Sequence, residues 1–276
     1  MIHRVMKFAA AGAVFAFAAG VPLAQASATG EPIARIRIEV FGGWSTLNLS
    51  AVRGEMQQSV TDSQNSLGYS STTTTTDSIG GPAAGLGVGY RIVPSFGVGV
   101  RVANVGTETI VTTLKGASST TADSIDERDT LKFNHMPLLL GVWYDVRGEE
   151  GFLFRAYAYA GQSRANGSLE SKVHEILDFG SGSTAFDFEL KVPLEGTAFY
   201  SELGAEIGYG FGKHFALTFG AGYHVGTVAV MKASEDVTGG GVVLVPKGTA
   251  MKDSNGKEIP FVLNGADARL GLRISF

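Results

Sequence analysis

The residues of this chain that could do chemistry fall into two sets, and only one has a pattern. The histidines are His3, His135, His174, His214 and His224. None has a serine two positions away, the spacing that would set a base beside a nucleophile on one strand face. They are scattered without metal-ligand spacing, and the lack of cysteine excludes thiolate ligands, thiolate nucleophiles and disulfides. No metal, cofactor or catalytic group is expected. Gly85, Gly87 and Gly89 lie every second residue inside an apolar run. A dinucleotide-binding fingerprint needs its glycines between a strand and a helix. The second set is charged and regular: Arg35, Arg37, Glu39, Arg91, Arg101, Arg155, Glu202, Glu206, Asp267, Arg269 and Arg273, with the polar His224. Each alternates with apolar or small residues. Its chemistry is ion pairing, either as a structural plug or as the lining of a narrow, anion-preferring passage.

A period of two positions these charges. In residues 266–276, Ala266, Ala268, Leu270, Leu272, Ile274 and Phe276 alternate with Asp267, Arg269, Gly271, Arg273 and Ser275. Side chains alternate faces along a strand, so one face is continuously apolar and the other charged. The same reading places Ile36, Ile38, Val40 and Trp44 opposite Arg35, Arg37 and Glu39. Residues 83–105 form two such strands around a turn at Val93-Pro94-Ser95, and residues 199–227 repeat that hairpin around Gly212-Lys213-His214. In residues 152–161, Phe152, Phe154, Ala156 and Ala158 face out and Arg155, Tyr157 and Tyr159 face in. The reverse facing would put Arg155 in lipid at ~2–4 kcal/mol near the midplane. The register of residues 131–145 stays open, because Leu138-Leu139-Leu140 interrupts the alternation, and Pro137 predicts a bulge or distortion there.

Eight strands of membrane-crossing length result, joined by three short turns and four long polar stretches: 47–80, 106–128, 163–195 and 231–260. In the third, Phe186, Phe188, Leu190 and Val192 alternate with charges, which predicts strand continuing above the membrane; the fourth has a turn signal at Asp253-Ser254-Asn255-Gly256. Lipid forbids an unpaired edge, so the first and last strands must meet. The expected fold is all-β: an eight-stranded antiparallel up-and-down transmembrane β-barrel with four long extracellular loops.

Residues 1–28 read as a secretory signal peptide. Arg4 and Lys7 precede an apolar core at 8–21, and Ala26-Ser27-Ala28 supplies a cleavage site. Residues 29–276 are then the barrel domain. Removing Arg4 and Lys7 takes the net charge from −4 to −6, which excludes an electrostatic footprint for nucleic acid.

Carried by the alternating strands, the short-turn and long-loop layout and the terminal Phe276, the chain resembles the small eight-stranded outer-membrane barrels of the opacity and outer-membrane-protein-A type, without a peptidoglycan-binding domain. The resemblance implies an integral protein of a Gram-negative outer membrane that contacts outer-membrane lipids and lipopolysaccharide and meets an unknown surface ligand through its extracellular loops. It implies a monomer that functions in envelope integrity or surface contact. It also implies that Leu270, Leu272, Ile274 and Phe276 are the insertion signal met by the barrel-assembly machinery. A rival resemblance, to outer-membrane lipid A deacylases, lacks the outward His and Ser pair that those hydrolases carry.

Overall fold

The computed structural model describes residues 35–276, except 68–69, 78–79, 118–122, 148–150, 181, 213 and 254. The expected signal peptide, 1–28, lies outside the described residues. In chain order the described elements are β1 (Ile36–Ser45), α1 (Ser50–Leu67), β2 (Ser70–Asp77), β3 (Gly81–Val93), β4 (Phe96–Ala117), β5 (Ser124–Arg147) and β6 (Phe152–Asp178). There follow β7 (Ser183–Phe211), β8 (Phe215–Val228), β9 (Lys232–Ala233), β10 (Val237–Gly239), β11 (Val242–Val245), β12 (Phe261–Val262) and β13 (Gly265–Ser275).

Eight antiparallel pairings close a circuit. β1 pairs with β3, and β3 to β8 pair in succession. β8 then pairs with β13, and β13 returns to β1 through Ile38↔Ile274 and Val40↔Leu272. The outward positions are apolar all the way round: Ile38 and Val40, Leu86 and Val88, Val98 and Val100, Leu138 and Leu140, Phe154, Leu203 and Ile207, Leu217 and Phe219, Leu270 and Leu272 are all exposed. The inward positions are charged or small. With the edge closed and the apolar face turned outward, this is an all-β, antiparallel transmembrane barrel. Tyr90, Phe152, Tyr209, Phe211, Phe215 and Phe276 stand exposed at the short-turn end, and Trp44, Phe199 and Tyr223 stand exposed towards the other.

Three expectations need correction. The second long stretch is not an irregular loop, and the third continues as strand, as its alternation predicted. β4 and β5 continue to Ala117 and from Ser124, and β6 and β7 remain paired from Phe152↔Tyr209 to Asp178↔Ser183. A membrane crossing needs only about 9–11 residues per strand, so these hairpins stand well clear of the belt. The simple eight-strand layout is therefore incomplete. β2 adds to the projecting part of β4 through Asp77↔Ile110 and its neighbours, and β9 and β12 add short pairings to β7 and β8. The stretch 47–80 also contains α1, whose start is capped by Asn48, with its Oδ1 accepting from the Ser50 amide at 3.1 Å. Val52 and Met56, with Leu49 just before the helix, form its buried stripe.

The bulge is also displaced. Pro137 pairs in register with Ser163, and the register shift lies in β4, between Val105 and Glu108. At that point β4 exchanges one neighbour for another: Val105 pairs with Ala83 of β3, whereas Ile110 pairs with Asp77 of β2. An extra residue twists the strand locally as its partner changes. The open register of β5 resolves into plain alternation, with Leu139, Trp143 and Asp145 buried while Leu138 and Leu140 face lipid.

Candidate functional site: the barrel interior

From the short-turn end upward, the interior changes from charged to aromatic to aliphatic. At the base, Asp145 lies among three guanidiniums. Its Oδ2 accepts from Arg37 Nη2 at 2.7 Å and Arg91 Nη2 at 3.2 Å, and its Oδ1 accepts from Arg155 Nε at 2.7 Å. Above it Glu206 Oε2 accepts from Arg273 Nη2 at 2.7 Å, and its Oε1 accepts from Arg101 Nη2 at 3.4 Å. Glu39 Oε2 accepts from Arg155 Nη1 at 3.4 Å. Glu202 Oε1 accepts from Arg269 Nη1 at 2.6 Å and Arg101 Nη1 at 3.1 Å. Asp267 lies 3.7 Å from Arg269 Nη1.

Aromatic faces complete the guanidinium surroundings. Arg101 lies 4.4 Å from the Tyr159 centroid and Arg269 lies 4.4 Å from that of Tyr157. Arg37 and Arg155 lie 4.8 and 5.2 Å from the Trp143 ring. A cation over a desolvated aromatic face gains ~2 kcal/mol or more, which helps offset the cost of taking the charge out of water.

The structure thus brings together eleven charged side chains: Arg37, Glu39, Arg91, Arg101, Asp145, Arg155, Glu202, Glu206, Asp267, Arg269 and Arg273. One sequence expectation differs. Arg35 belongs to no interior network: it is exposed just before β1 and donates from Nη1 to the outward Tyr90 hydroxyl at 3.2 Å. His224 is buried at the top of the charges, with its Nδ1 3.9 Å from Asp267, its Nε2 3.1 Å from the Thr46 carbonyl and its ring stacked on Tyr200 at 5.3 Å. Asp145 is the residue that sequence reasoning missed. Two steps along from Trp143, it was legible only once the facing of β5 was fixed.

Higher in the lumen His135 Nδ1 lies 2.9 Å from Ser163 Oγ, a pairing absent from the sequence-level search because the partners sit on different strands. Both side chains are buried, and an apolar layer covers them. A nucleophile must meet its substrate, and this serine is sealed from both lipid and water. Among the described residues no group of three His, Asp or Glu could hold a metal ion.

The covering layer is built from every long stretch. Leu49, just before α1, and Val52 and Met56 of α1 meet Ile110 of β4, Leu131 and Phe133 of β5, Val192 and Leu194 of β7, Met231, and Ile259, Phe261 and Leu263. Phe133 stacks on Phe261 at 5.5 Å. The end of the lumen opposite the short turns is therefore covered by an apolar cap.

The barrel is one that spans a membrane, with its closed edge and apolar belt turned to lipid. No family model matches the chain, and no curated protein matches it. Among solved structures it is similar to the outer membrane protein OprG from Pseudomonas aeruginosa, at 14% identity over 88% of this chain and 97% of that one, with a TM-score of 0.39. It is similar to Ail, the attachment invasion locus protein of Yersinia pestis, at 11% identity over 88% and 99%, with a TM-score of 0.34. It is also similar to the outer membrane protease OmpT from Escherichia coli, at 10% identity over 88% and 97%, with a TM-score of 0.32. Likenesses this distant decide neither strand count nor activity. The geometry of the chain itself carries the assignment.

Proposed function

We propose that the eight-strand circuit is a closed, non-catalytic barrel serving envelope integrity and surface contact. In this reading the projecting hairpins, α1 and β9–β12 form its extracellular face. The observation that carries it is the double closure of the lumen, by an ion-paired base and an apolar cap. An eight-stranded interior is just wide enough for side chains to fill, and above the short-turn mouth they fill it. Arg37, Arg91, Arg101, Arg155, Arg269 and Arg273 face five carboxylates, so the arginine excess that favoured an anion passage shrinks to one charge. Exposed apolar residues on the projecting parts support contact with a partner: Phe179, Phe186 and Phe188 on the β6–β7 hairpin, and Val242, Val243 and Leu244 on β11.

Purified protein in planar bilayers is expected to give no steady conductance. A reproducible single-channel current whose anion preference falls in Arg101→Glu would replace this reading with that of a small porin. Orientation is tested separately. Protease added to intact cells is expected to cut within 231–260 and spare the belt strands; cutting only after the outer membrane is permeabilised would reverse the barrel.

A further inference from the structure

The short-turn mouth holds a cavity of about 270 Å³ that the closed-barrel reading leaves unused. Arg37, Arg91, Arg273, His214, Ala216 and Ser275 are among its lining residues. Its volume is several times the roughly 30 Å³ share of one water. The arginines are not surface side chains: Arg37 is 5% and Arg273 2% exposed. Each has one nitrogen committed to the network, Arg37 Nη2 to Asp145 and Arg273 Nη2 to Glu206. Among the described residues, Arg37 Nη1 and both Nε and Nη1 of Arg273 are buried without a hydrogen-bond partner. An unpartnered buried donor on a charged group is costly. Here three of them belong to side chains that line one water-accessible recess. The carboxylate at this level, Asp145, already accepts from Arg37, Arg91 and Arg155.

We propose that this recess is a binding site for a phosphate-class oxyanion entering from the short-turn side. Guanidinium forks match the oxygen geometry of phosphate and can donate in pairs. The spare donors of Arg37 and Arg273 are sealed from water as they stand, and a turn of either guanidinium towards the recess would let an oxyanion seated there accept from them and offset the cationic excess at the base of the lumen. The same chemistry is offered by free inorganic phosphate and by the phosphate monoester of a headgroup fragment.

The chain contains two tryptophans, and Trp143 lies against Arg37 while Trp44 is exposed in the belt. Trp44→Phe therefore leaves Trp143 as the sole reporter of the site. Folded Trp44→Phe protein in detergent is titrated at constant ionic strength with inorganic phosphate, with glycerol phosphate and with chloride, and calorimetry of the unaltered protein reads the same binding without the reporter. A saturable response to phosphate and none to chloride is expected. Stronger binding of glycerol phosphate assigns the site to a headgroup, and equal or weaker binding assigns it to the free ion. Ala216 is the cross-strand partner of Arg273, so Ala216→Glu supplies an internal carboxylate and is expected to weaken phosphate at least tenfold, on the order of 1.4 kcal/mol or more. Ala216→Gln should stay within about threefold, or roughly 0.7 kcal/mol. Should Ala216→Glu lose the folded, heat-modifiable form, Ser275→Asp takes its place. No saturable binding by either readout, a chloride response equal to that of phosphate, or undiminished affinity in the folded carboxylate variant would overturn the site.

Discussion

Asp145→Asn is expected to destabilise the folded barrel by roughly 3–5 kcal/mol, the usual consequence of removing one partner from a buried charge cluster. Its two oxygens accept from Arg37, Arg91 and Arg155 at 2.7 to 3.2 Å. The aspartate side chain is fully buried, so water cannot replace the lost charge without opening the wall. Asparagine keeps the shape but presents one carbonyl oxygen and two N–H donors, and those donors would point at guanidiniums. The measurement is the urea midpoint of the folded, heat-modifiable form in lipid vesicles. The contrast is Asp126→Asn, which removes a surface pairing with Lys115 at 3.2 Å in which the two side chains are 71% and 47% exposed. Such a pair is worth about 0–1 kcal/mol. Equal midpoints for the two variants would show that the base of the lumen is hydrated and its pairing dispensable.

The contrast between Asp145 and its neighbours also explains what the sequence could reveal. Strands were legible wherever one face was lipid and the other charge, because a period of two then repeats without exception, as from Ala266 to Phe276. β5 was harder: its inward positions Leu139 and Trp143 are themselves apolar and buried, so both faces look alike and the register disappears. Asp145 was lost with it. The projecting hairpin of β4 and β5 was hidden for the opposite reason. Beyond Val105, β4 buries Ile110, Thr112 and Leu114, but Thr109, Val111, Thr113 and Lys115 between them make no continuous apolar face. Among the described side chains of α1 only Val52 and Met56 are buried, with Leu49 just before it, too few to make a stripe stand out from polar sequence. The His135–Ser163 contact depends on the register between the adjacent strands β5 and β6, and the neighbouring mouth arginines depend on the closing pair β1 and β13, and neither register is encoded in a local pattern.

The glycines of the β3–β4 hairpin show how tightly those neighbours are fitted. Trp143 projects from β5 across the inner wall. A Cβ at Gly89 or Gly97 would overlap its ring, and one at Gly99 would approach Cζ3 at 2.9 Å. Alternate glycines thus form a recess for a single indole, whose outer faces carry Arg37 and Arg155. Trp143→Ala is expected to cost about 3–5 kcal/mol, the range for truncating a buried aromatic, with the stacking of both arginines lost as well. Gly97→Val alone should cost at least about 1–3 kcal/mol, because a ring held on both sides cannot move aside. The two effects should not add. In the Trp143→Ala background the ring is gone, and what remains at Gly97 is the approach to the Tyr90 carbonyl at 2.7 Å. The expected coupling is favourable by about 1–3 kcal/mol, as for residues that share one space. Urea midpoints of the two single variants and the double variant measure it. Simple additivity would mean that the glycines serve strand curvature rather than the indole, and that the ordered stack of charge over aromatic at the base of the lumen is looser than its geometry implies.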